Sequence, residues 1–392
     1  MEFRQCSKCV LDNTVPEIHF DNEGVCNFCH YYDTLASKSV NRKEEVKQQE
    51  FLELVENIKE AGKGKSYDCI LGVSGGVDST YLALFSKQIG LRPLVVHFDN
   101  GWNSELAVMN IENIVTKLGY DLHTFVMDWE EFKDLQVAYF KAGVVDIEVP
   151  TDQLIFAALN KIAKEQGIKY ILSGHNVVTE SINPKGWVYK EKFDLVNLKN
   201  IHKQFGKVKL KKLPQFGMFD RYIYEAVWGI QTVGLLNYVP YIKSEIKAII
   251  QKELDWRDYG GKHYESIFTR FYQGYILPVK FNIDKRKMHL SNLIMSGQIN
   301  KEEALKELEL PTYPLEDQMA DKEYVIKKWE ISPEEFEKIM KTPPVPHEHY
   351  GTDKGIWYQR KYFLFRAFMY IPVRIGRFLR ILHTPKKIKT YF

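Results

Sequence analysis

The sequence predicts an α/β fold around a parallel sheet, preceded by a cysteine-rich knob and followed by a helical region. From residue 67 onward, short apolar strands alternate with helical segments. Four of the five cysteines fall between positions 6 and 29, and after about residue 290 the apolar positions recur at helical spacing. With 392 residues and 45% hydrophobic content, the chain can bury at least one large core.

The overall charge of the chain argues against a dominant polyanionic partner. The net charge is only +3, so nucleic acid is not an expected partner and any basic surface must be local. The first ten residues lack the layout of a secretory signal, and no apolar run approaches the roughly 20 residues that span a bilayer. We therefore expect a cytoplasmic protein.

Residues 1–35 are predicted to form a small unit held together by a metal ion, here called the knob. A linker helix over 36–66 is predicted to join it to the main domain. The cysteines of the knob form two Cys-x2-Cys pairs, namely Cys6, Cys9, Cys26 and Cys29. This spacing is typical of a closed, structural zinc site with four thiolates. A redox or sulfur-carrying role is the alternative. Cys69 lies in an apolar strand and is interpreted as a core residue.

The main domain is predicted over residues 67–290. The expected strands cover residues 67–73, 94–98, 122–126 and 168–173, and the expected helices cover 78–89, 104–118, 130–140 and 151–166. Strands separated by helices indicate right-handed crossovers and a parallel sheet covered on both faces. Ligands of such sheets bind at the carboxyl ends of the strands, so the loops after Val73, Phe98 and Ser173 are the informative ones.

The loop after the first strand has the composition of a phosphate cradle. It contains Ser74, Gly75, Gly76, Asp78, Ser79 and Thr80. Glycines let backbone N–H groups approach an anion, hydroxyls add donors, and the following helix contributes the partial positive charge of its N-terminus. The loop lacks the Gly-Lys-Ser/Thr ending of a Walker loop and the dinucleotide-binding Gly-x-Gly-x-x-Gly pattern.

Ser-Gly-Gly-Val-Asp-Ser after a buried strand resembles the pyrophosphate loop of the N-type ATP pyrophosphatases, the PP-loop enzymes. The resemblance implies an adenine-nucleotide-binding domain that cleaves ATP between the α and β phosphates. It also implies that Ser74 and its neighbours hold the departing pyrophosphate and that Asp78 helps to place Mg²⁺.

Two further loops are assigned by the same resemblance. Asp99 follows the second strand, where the superfamily holds adenosine, although Asp-Asn-Gly is equally compatible with a plain turn. Gly174, His175 and Asn176 resemble the Gly-His-Asn motif of these enzymes. The tRNA-thiolating members usually continue with an acidic pair, whereas this chain continues Val-Val-Thr-Glu180.

Residues 256–274 are denser in ionisable and glycine residues than a core helix requires, which favours substrate contact. The candidate substrate residues are Gly261, Lys262, His263, Glu265 and Arg270. Lys285 and Arg286 follow as cations that could neutralise phosphates. This stretch, through Ser296-Gly297-Gln298, is similar to the N-acetyl sugar amidotransferases of bacterial surface-polysaccharide synthesis, and the similarity extends over residues 1 to about 300.

The amidotransferase resemblance implies a reaction in which ATP adenylates the acetamido group of a nucleotide-linked sugar and ammonia then replaces the oxygen. No glutaminase signature is present, which implies a separate glutaminase subunit as the ammonia source. A tRNA-thiolating PP-loop enzyme is the alternative activity. A non-catalytic nucleotide-binding scaffold is the alternative of another class, which the intact Asp78 disfavours.

Two basic segments have open roles. A lysine-rich insertion over residues 181–221 is interpreted as a grip for a nucleotide sugar's diphosphate, a partner contact or a solvated face. The region 291–392 is predicted to be helical over 301–308, 321–329 and 333–340. Its tail from 357 to 392 carries nine Lys or Arg, no acids and interleaved aromatic residues, which suits either an anionic membrane surface or the protein's own core.

Overall fold

The computed structural model describes residues 2–353, so the basic aromatic tail lies outside the described residues. A five-stranded sheet forms the centre of the main domain, with the order β3-β2-β1-β4-β5 and parallel pairing throughout. The strands are β1 Cys69–Val73, β2 Pro93–Asp99, β3 Leu122–Val126, β4 Tyr170–Leu172 and β5 Gln231–Val233. The predicted parallel sheet is confirmed, and β5 is an addition that the sequence analysis did not contain.

Sixteen α-helical segments surround the sheet within the described residues. The first ten are α1 Asn27–Lys38, α2 Glu44–Ala61, α3 Val77–Gln88, α4 Glu105–Leu118, α5 Trp129–Ala142, α6 Val149–Glu165, α7 Val177–Glu180, α8 Leu195–Phe205, α9 Met218–Ala226 and α10 Lys243–Leu254. The others are α11 Ile267–Phe271, α12 Leu277–Phe281, α13 Arg286–Met295, α14 Lys301–Glu309, α15 Leu315–Trp329 and α16 Pro333–Lys341. A π-helical turn, Tyr272–Ile276, makes α11 and α12 continuous, and short 3₁₀ turns span Lys185–Trp187, Leu235–Tyr238 and His347–Tyr350.

Local sequence signals set the ends of the helices that flank the sheet. The side chain of Ser104 accepts a hydrogen bond from the Ala107 amide at the start of α4, and α4 ends at Gly119 with φ +65°. Helix α5 begins in the same way at Asp128 and ends at Gly143 with φ +69°. Hydroxyl and carboxylate caps satisfy free amides at the N-terminus, and glycine adopts the left-handed conformation at the C-terminus without strain.

Strands β1, β2 and β4 are mostly buried, as expected inside a parallel sheet, whereas the edge strand β3 is mostly exposed. On one face, Leu71 and Val95 pack in a core with Leu82 of α3 and Ile250 of α10. On the other face, Ile70, Leu94 and Val96 pack against Ile162 of α6. Alternate residues of β1 and β2 thus point into the two apolar cores, one on each face of the sheet. This explains why these strands are continuous apolar runs in the sequence.

The cysteine-rich knob rests on the C-terminal helices. Val10 packs against Leu290 of α13 and Ala304 of α14. Lys287 forms an ion pair with the buried Asp12 at 2.6 Å, and the Lys301 ammonium donates to the Cys6 carbonyl at 2.6 Å. The knob is therefore packed against α13 and α14.

Residues 181–221 are anchored to α5 through their backbone. The amides of residues 211–213 donate to the carboxylate of Glu131, and the amides of Lys207 and Val208 donate to Asp134. Lys192 forms an ion pair with the buried Asp146 at 2.6 Å. Several groups of the lysine-rich insertion thus serve the fold. Across residues 2–353, no helix is both long and apolar enough to cross a bilayer.

The strand order places a crevice at the middle of the sheet. Crossovers lead outward from β1 to β2 and β3 on one side and from β4 to β5 on the other. The loops after β1 and β4 therefore diverge at the carboxyl edge of two neighbouring strands. Such a point of divergence is where open α/β sheets bind ligands.

Candidate active site

A cavity of about 670 Å³ opens at the carboxyl ends of β1 and β4. Its wall includes the loop after β1, the start of α10, residues 258–265 and the start of α13. Eleven of the residues singled out from the sequence line it: Ser74, Gly76, Asp78, Ser79, Gly174, Gly261, Lys262, His263, Glu265, Lys285 and Arg286. Residues that are far apart in the sequence thus share one chamber.

Contacts with α4 and with Trp256 fix the conformation of the loop after β1. Gly75 has φ +79°, and a Cβ there would lie 2.6 Å from the Ala107 carbonyl oxygen, so only glycine fits. Its own carbonyl accepts hydrogen bonds from the Trp256 indole at 2.9 Å and the Asn110 amide at 3.3 Å. This support leaves the N-terminus of α3 facing the cavity, an arrangement suited to an anion.

Asp78, in the first turn of α3, meets the loop after β4. Its Oδ1 accepts hydrogen bonds from the Tyr241 hydroxyl and, at 3.4 Å, from the Asn176 side-chain amide. Gly174 lies against α3 so closely that an added Cβ would be 3.2 Å from the Asp78 Cβ. The loops after β1 and β4 therefore form a single unit around this carboxylate, which could help to hold a divalent cation.

An ionic network crosses the cavity wall. Glu180 binds the His175 ring through one carboxylate oxygen and the Lys262 ammonium, at 2.8 Å, through the other. Burial opposes ionisation of Glu180, but Lys262 and His175 outweigh it and hold the pKa of Glu180 well below its usual range. Burial likewise opposes protonation of His175, yet Glu180 raises the His175 pKa above its ordinary value. The network thus favours the charged forms of Glu180, Lys262 and His175.

Glu265 approaches the phosphate loop from the opposite wall. Its Oε1 accepts a hydrogen bond from the Ser74 hydroxyl at 3.3 Å and lies 3.7 Å from Nδ1 of His263. Burial raises the pKa of Glu265, but His263 and Ser74 outweigh burial and lower it. The second oxygen, Oε2, is buried without a hydrogen-bond partner among the described residues. It remains available to a bound molecule.

Two cations of the cavity, Lys243 and Lys285, form no salt bridge among residues 2–353. Burial and the charge of Lys262 lower the pKa of Lys243. The Lys285 ammonium lies 5.6 Å from the centre of the Tyr272 ring. Lys247, in contrast, is paired with Asp258 at 2.6 Å. The two unpaired cations are suited to phosphate oxygens, since bound anions would replace the missing partners.

Two arginines that the sequence proposed as ligand-binding groups are engaged within the protein. Arg270 forms a two-pronged ion pair with Asp321, at 2.8 and 2.7 Å, and does not line the cavity. Arg286 does line it, but its guanidinium binds Asp284 at 2.7 Å. It also donates to the carbonyls of Glu307, Leu310 and Pro311, where α14 ends. Both arginines hold the C-terminal helices in place.

The remaining predicted residues lie behind or beside the cavity. Thr80 is completely buried, and its hydroxyl has no hydrogen-bond partner among the described residues. Asp99 accepts from the Gly101 amide at 2.9 Å, which is the geometry of a turn. Gly75, His175 and Asn176 support the lining residues without belonging to the lining themselves.

The structure adds residues that the sequence analysis did not single out as ligand-binding groups. They are Glu180, Tyr241, Lys243, Tyr259, Gln273 and His289. Gln273 lies in the π-helical turn, a feature often found at functional sites. A signal was available for Glu180, which lies four residues after Asn176, and for Tyr259 and Gln273, which lie within the ionisable segment 256–274. The others reach the site from distant segments without a recognisable motif.

The four cysteines of the knob form a buried cluster that could hold a metal ion. Their Sγ atoms lie within 4.8 Å of one another, and all four residues are completely buried. The Sγ atoms of Cys6 and Cys29, and those of Cys9 and Cys26, are 3.8 Å apart. The Cys26 amide also donates to the Cys6 sulfur at 3.2 Å, which stabilises a thiolate.

Relatives cover different parts of the chain. The protein MJ1599 of Methanocaldococcus jannaschii is 27% identical over 325 residues, which is 80% of this chain and 95% of that protein. A tRNA(Ile)-lysidine synthase of Thermus thermophilus is 30% identical over 110 residues, 28% of this chain and only 20% of that protein. Among solved structures, the U34-tRNA thiolase NcsA from Methanococcus maripaludis, determined with its [4Fe-4S] cluster, has a TM-score of 0.31 at 14% identity, covering 80% of this chain and 92% of that one.

A family model identifies the segment that faces the phosphate loop. Residues 265–363 match the model described as the C-terminal domain of WbpG-like LPS biosynthesis proteins. The match begins at Glu265, on the cavity wall, and runs through α11–α16. The chain thus joins a parallel α/β domain to a segment that is similar to the C-terminal domain of WbpG-like proteins.

Proposed function

We propose that this protein is an ATP-dependent, AMP-forming amidotransferase that converts the acetamido group of a nucleotide-linked N-acetyl sugar to an acetamidino group. The sugar would serve lipopolysaccharide O-antigen or another surface glycan. One observation carries the proposal: the segment that matches an LPS biosynthesis domain and the phosphate loop line the same cavity. A nucleotide held by the loop would therefore react with a molecule that the WbpG-like segment recognises.

The chemistry requires activation, because an amide carbon is a poor electrophile and its oxygen a poor leaving group. Attack of the amide oxygen on the α phosphate of ATP makes that oxygen part of AMP, which can depart. The loop donors and the unpaired Lys243 would stabilise the charge that develops on pyrophosphate. Mg²⁺, which Asp78 would help to hold, supplies charge neutralisation for the phosphates.

The sugar nucleotide has room and a cation on the other side of the cavity. A volume of about 670 Å³ is within the range of small-molecule sites. Lys285 faces it from the start of α13 without an acidic partner among the described residues, whereas Arg286 is already engaged. We therefore assign the sugar's diphosphate to Lys285 and the reacting amide to the region between Lys262 and Glu265.

Ammonia is proposed to come from a separate glutaminase subunit. The purified chain should give no product with ATP, sugar nucleotide and glutamine, while ammonium salt or the partner should restore product formation. Turnover with glutamine by the chain alone would contradict the two-subunit arrangement.

For the cysteine cluster we propose zinc. Zn–S bonds of about 2.3 Å in a tetrahedron place the sulfurs about 3.8 Å apart. The Sγ separations of 3.8 Å for Cys6–Cys29 and Cys9–Cys26, and of 3.6 Å for Cys26–Cys29, agree with this value. In an iron–sulfur cluster some or all of the thiolates bind different irons and lie farther apart, whereas these four Sγ atoms all lie within 4.8 Å of one another. A single, closed ion with a structural role fits the cluster better.

A tRNA-thiolating activity is the second candidate, favoured by a 110-residue match, at 29% identity, to a tRNA-specific 2-thiouridylase of Desulfosudis oleivorans. Sulfur transfer through a protein thiol needs an accessible cysteine. All five cysteines are completely buried, four in the metal cluster and Cys69 in β1. Zinc analysis together with Cys26→Ser and Cys29→Ser variants separates the two functions, since a sulfur carrier would lose activity without losing a structural ion.

The deciding experiment is mass spectrometry of UDP-diacetamido sugars and nonulosonic acid nucleotides incubated with ATP, Mg²⁺, ammonium salt and the protein. The proposal expects a product lighter by the difference between O and NH, with one AMP released per product. Asp78→Asn serves as the inactive control. If AMP forms without a modified sugar, the sugar amide is the wrong acceptor; if neither forms, the chain is a nucleotide-binding scaffold.

A further inference from the structure

His289, on α13, is a cavity residue without an assigned partner. Its ring lines the cavity, and both of its nitrogens are buried with no hydrogen-bond partner among the described residues. The Oε2 atom of Glu265, which lines the same cavity, is also buried without a hydrogen-bond partner among the described residues. Buried polar atoms in native proteins are almost always hydrogen-bonded, so two such groups at one cavity indicate where a bound molecule provides the partners.

The surroundings of His289 are mostly cationic. Lys262 and His263 face it from the loop before α11, Lys243 from α10 and Lys285 from the residue before α13. The His263 ring centre is 5.9 Å away. The acidic groups of the same cavity are bound to others: Glu180 to Lys262 and His175, Asp78 to Tyr241, Asp258 to Lys247, and Glu265 to Ser74. Glu307 also lines the cavity.

This environment keeps the imidazole neutral. Burial, followed by the positive charges of Lys262 and His263, holds the pKa of His289 well below its usual range. The ring therefore has a free lone pair at physiological pH, whereas its lysine neighbours are ammonium groups. When the phosphates of ATP and the sugar nucleotide enter, their negative charge raises the His289 pKa again and strengthens it as a base.

We propose that His289 is the base that accepts a proton from the attacking ammonia, an inference that rests on the proposed amidotransferase function. The ammonia lone pair forms a C–N bond to the carbon of the adenylated amide, which gives a tetrahedral adduct with a positively charged nitrogen. One proton of that nitrogen moves to His289. The C–O bond then breaks, and its electron pair leaves with AMP.

Because the adenylated amide keeps its N–H proton, loss of AMP from the neutral adduct leaves the product as an amidinium cation, and the proton on His289 then passes to solvent. Glu265 Oε2, unpartnered and close to the PP-loop, is the acceptor for that cation. Atoms balance without an oxidant or another reactant: ATP, amide and ammonia give AMP, pyrophosphate and amidine. His289 thus binds the proton that the attacking ammonia releases, and Glu265 binds the amidinium product.

The test separates the two half-reactions in His289→Gln, which keeps a polar side chain of similar reach. Rapid-quench measurement of pyrophosphate release without ammonia reports adenylation, and amidino-sugar formation with ammonia reports the second step. We expect adenylation to stay within a few-fold of wild type and the ammonia step to slow by about 10²–10⁴-fold, the usual contribution of general base catalysis. His123→Gln, on exposed β3, is the matched control.

Hydroxylamine and pH provide readouts that a structural role would not change. Hydroxylamine gives an adduct with a more acidic nitrogen, so His289→Gln should lose less activity with it than with ammonia. In wild type, the rate at constant free ammonia should fall on the acid side as His289 protonates, and the variant should lack that fall. A ¹⁵N-histidine NMR spectrum should show a neutral ring at pH 7 that disappears in His289→Gln.

Equal losses in both half-reactions, equal losses with both nucleophiles, or a wild-type ammonia step would each overturn the role of His289. If the wild-type protein makes no amidino sugar, the proposed function and this role fail together. If wild type makes it and His289→Gln matches wild type, only the role of His289 fails. Thermal unfolding and ATP binding of the variant establish that it is folded.

Discussion

The Ser74 hydroxyl donates a hydrogen bond of 3.3 Å to Oε1 of Glu265, across 191 positions of sequence. Ser74 is the first residue of the glycine-rich loop after β1, and Glu265 is the first residue of the segment that matches the WbpG-like model. The two parts of the protein therefore meet at the cavity itself. A ligand of one part is within reach of the other, which is the geometric requirement for transferring an adenylyl group between them.

Asp78→Asn should abolish AMP formation while leaving the fold intact. The variant keeps the shape of the side chain and can still bond to Tyr241, but it removes the negative charge expected to hold Mg²⁺. We expect kcat to fall by about 10²-fold or more, in line with the loss of a group that stabilises transition-state charge. AMP release measured at saturating Mg²⁺ and ATP checks this expectation.

Tyr241→Phe is the matched control for Asp78. It removes only the hydroxyl that bonds to the carboxylate, so activity should decline much less. An Asp78→Asn protein with near-normal AMP formation would show that the carboxylate is structural.

Glu180→Gln should lower the pKa of His175, since Glu180 is the group that raises it. NMR titration should place the His175 pKa above 6.5 in wild type, and in the variant burial should bring it below that value. Glu56→Gln, on the exposed part of α2, should leave it unchanged. An unaltered His175 titration in Glu180→Gln would show that the two side chains are not paired in solution.

The same pair sets a pH window for stability. His175 has a raised pKa, so its contribution is complete below pH 6.5 and is lost as the pH rises through the folded-state value. Glu180 has a lowered pKa, so its contribution is complete above pH 4.5 and is lost as the pH falls through the lowered value. The stability difference between wild type and Glu180→Gln should therefore be largest between pH 4.5 and 6.5, as measured by urea unfolding.

The sequence predicted those parts of the fold whose signals are local. A strand, a glycine-rich loop and a helix follow one another within residues 67–89, so this unit could be predicted from neighbouring residues alone. The ends of α4 and α5 were also predictable, because Ser104 and Asp128 cap them with their own side chains. In contrast, β5 has only three residues, too few to show an apolar pattern.

The parts that the sequence did not reveal depend on long-range partners. Tyr241 reaches Asp78 across 163 positions, and nothing near Tyr241 indicates such a contact. Arg286 seemed available for phosphate, because charge was its only visible property. Its partners are backbone carbonyls at the end of α14, which have no residue-type signature. Side-chain charge can be read from a sequence, but whether that charge is already satisfied cannot.

Loss of the proposed zinc ion should destabilise not only the knob but also the helices that pack against it. We expect about one zinc per chain in elemental analysis, and Cys26→Ser should lose it. Since Val10 and Asp12 pack on α13 and α14, unfolding of the knob should expose the wall behind the cavity and cost several kcal/mol, on the order of a core defect. Thermal unfolding with and without a chelator measures this effect.

Cys69→Ala is the control for the zinc prediction. It alters a buried cysteine in β1 and should leave the zinc content unchanged. Full stability of the metal-free protein, or an iron–sulfur absorption band in place of zinc, would contradict the proposed structural ion.

Lys285→Ala and Arg286→Ala should have different effects although the two residues are adjacent. The first should weaken nucleotide-sugar binding, and the second should lower the stability of the fold. Lys285 has no acidic partner among the described residues, so its loss should leave the melting temperature unchanged and weaken nucleotide-sugar binding by about tenfold, the value of one charge-assisted contact. Arg286 bonds to Asp284 and to the carbonyls at the end of α14, so its loss should cost about 1–3 kcal/mol of stability. Calorimetric unfolding and titration of the sugar nucleotide measure both effects, and Lys252→Ala, an exposed cation on α10, controls for net charge. A stable Arg286→Ala protein that fails to bind the sugar nucleotide would instead assign the phosphate contact to the arginine, because the carbonyl bonds would then contribute little to the fold.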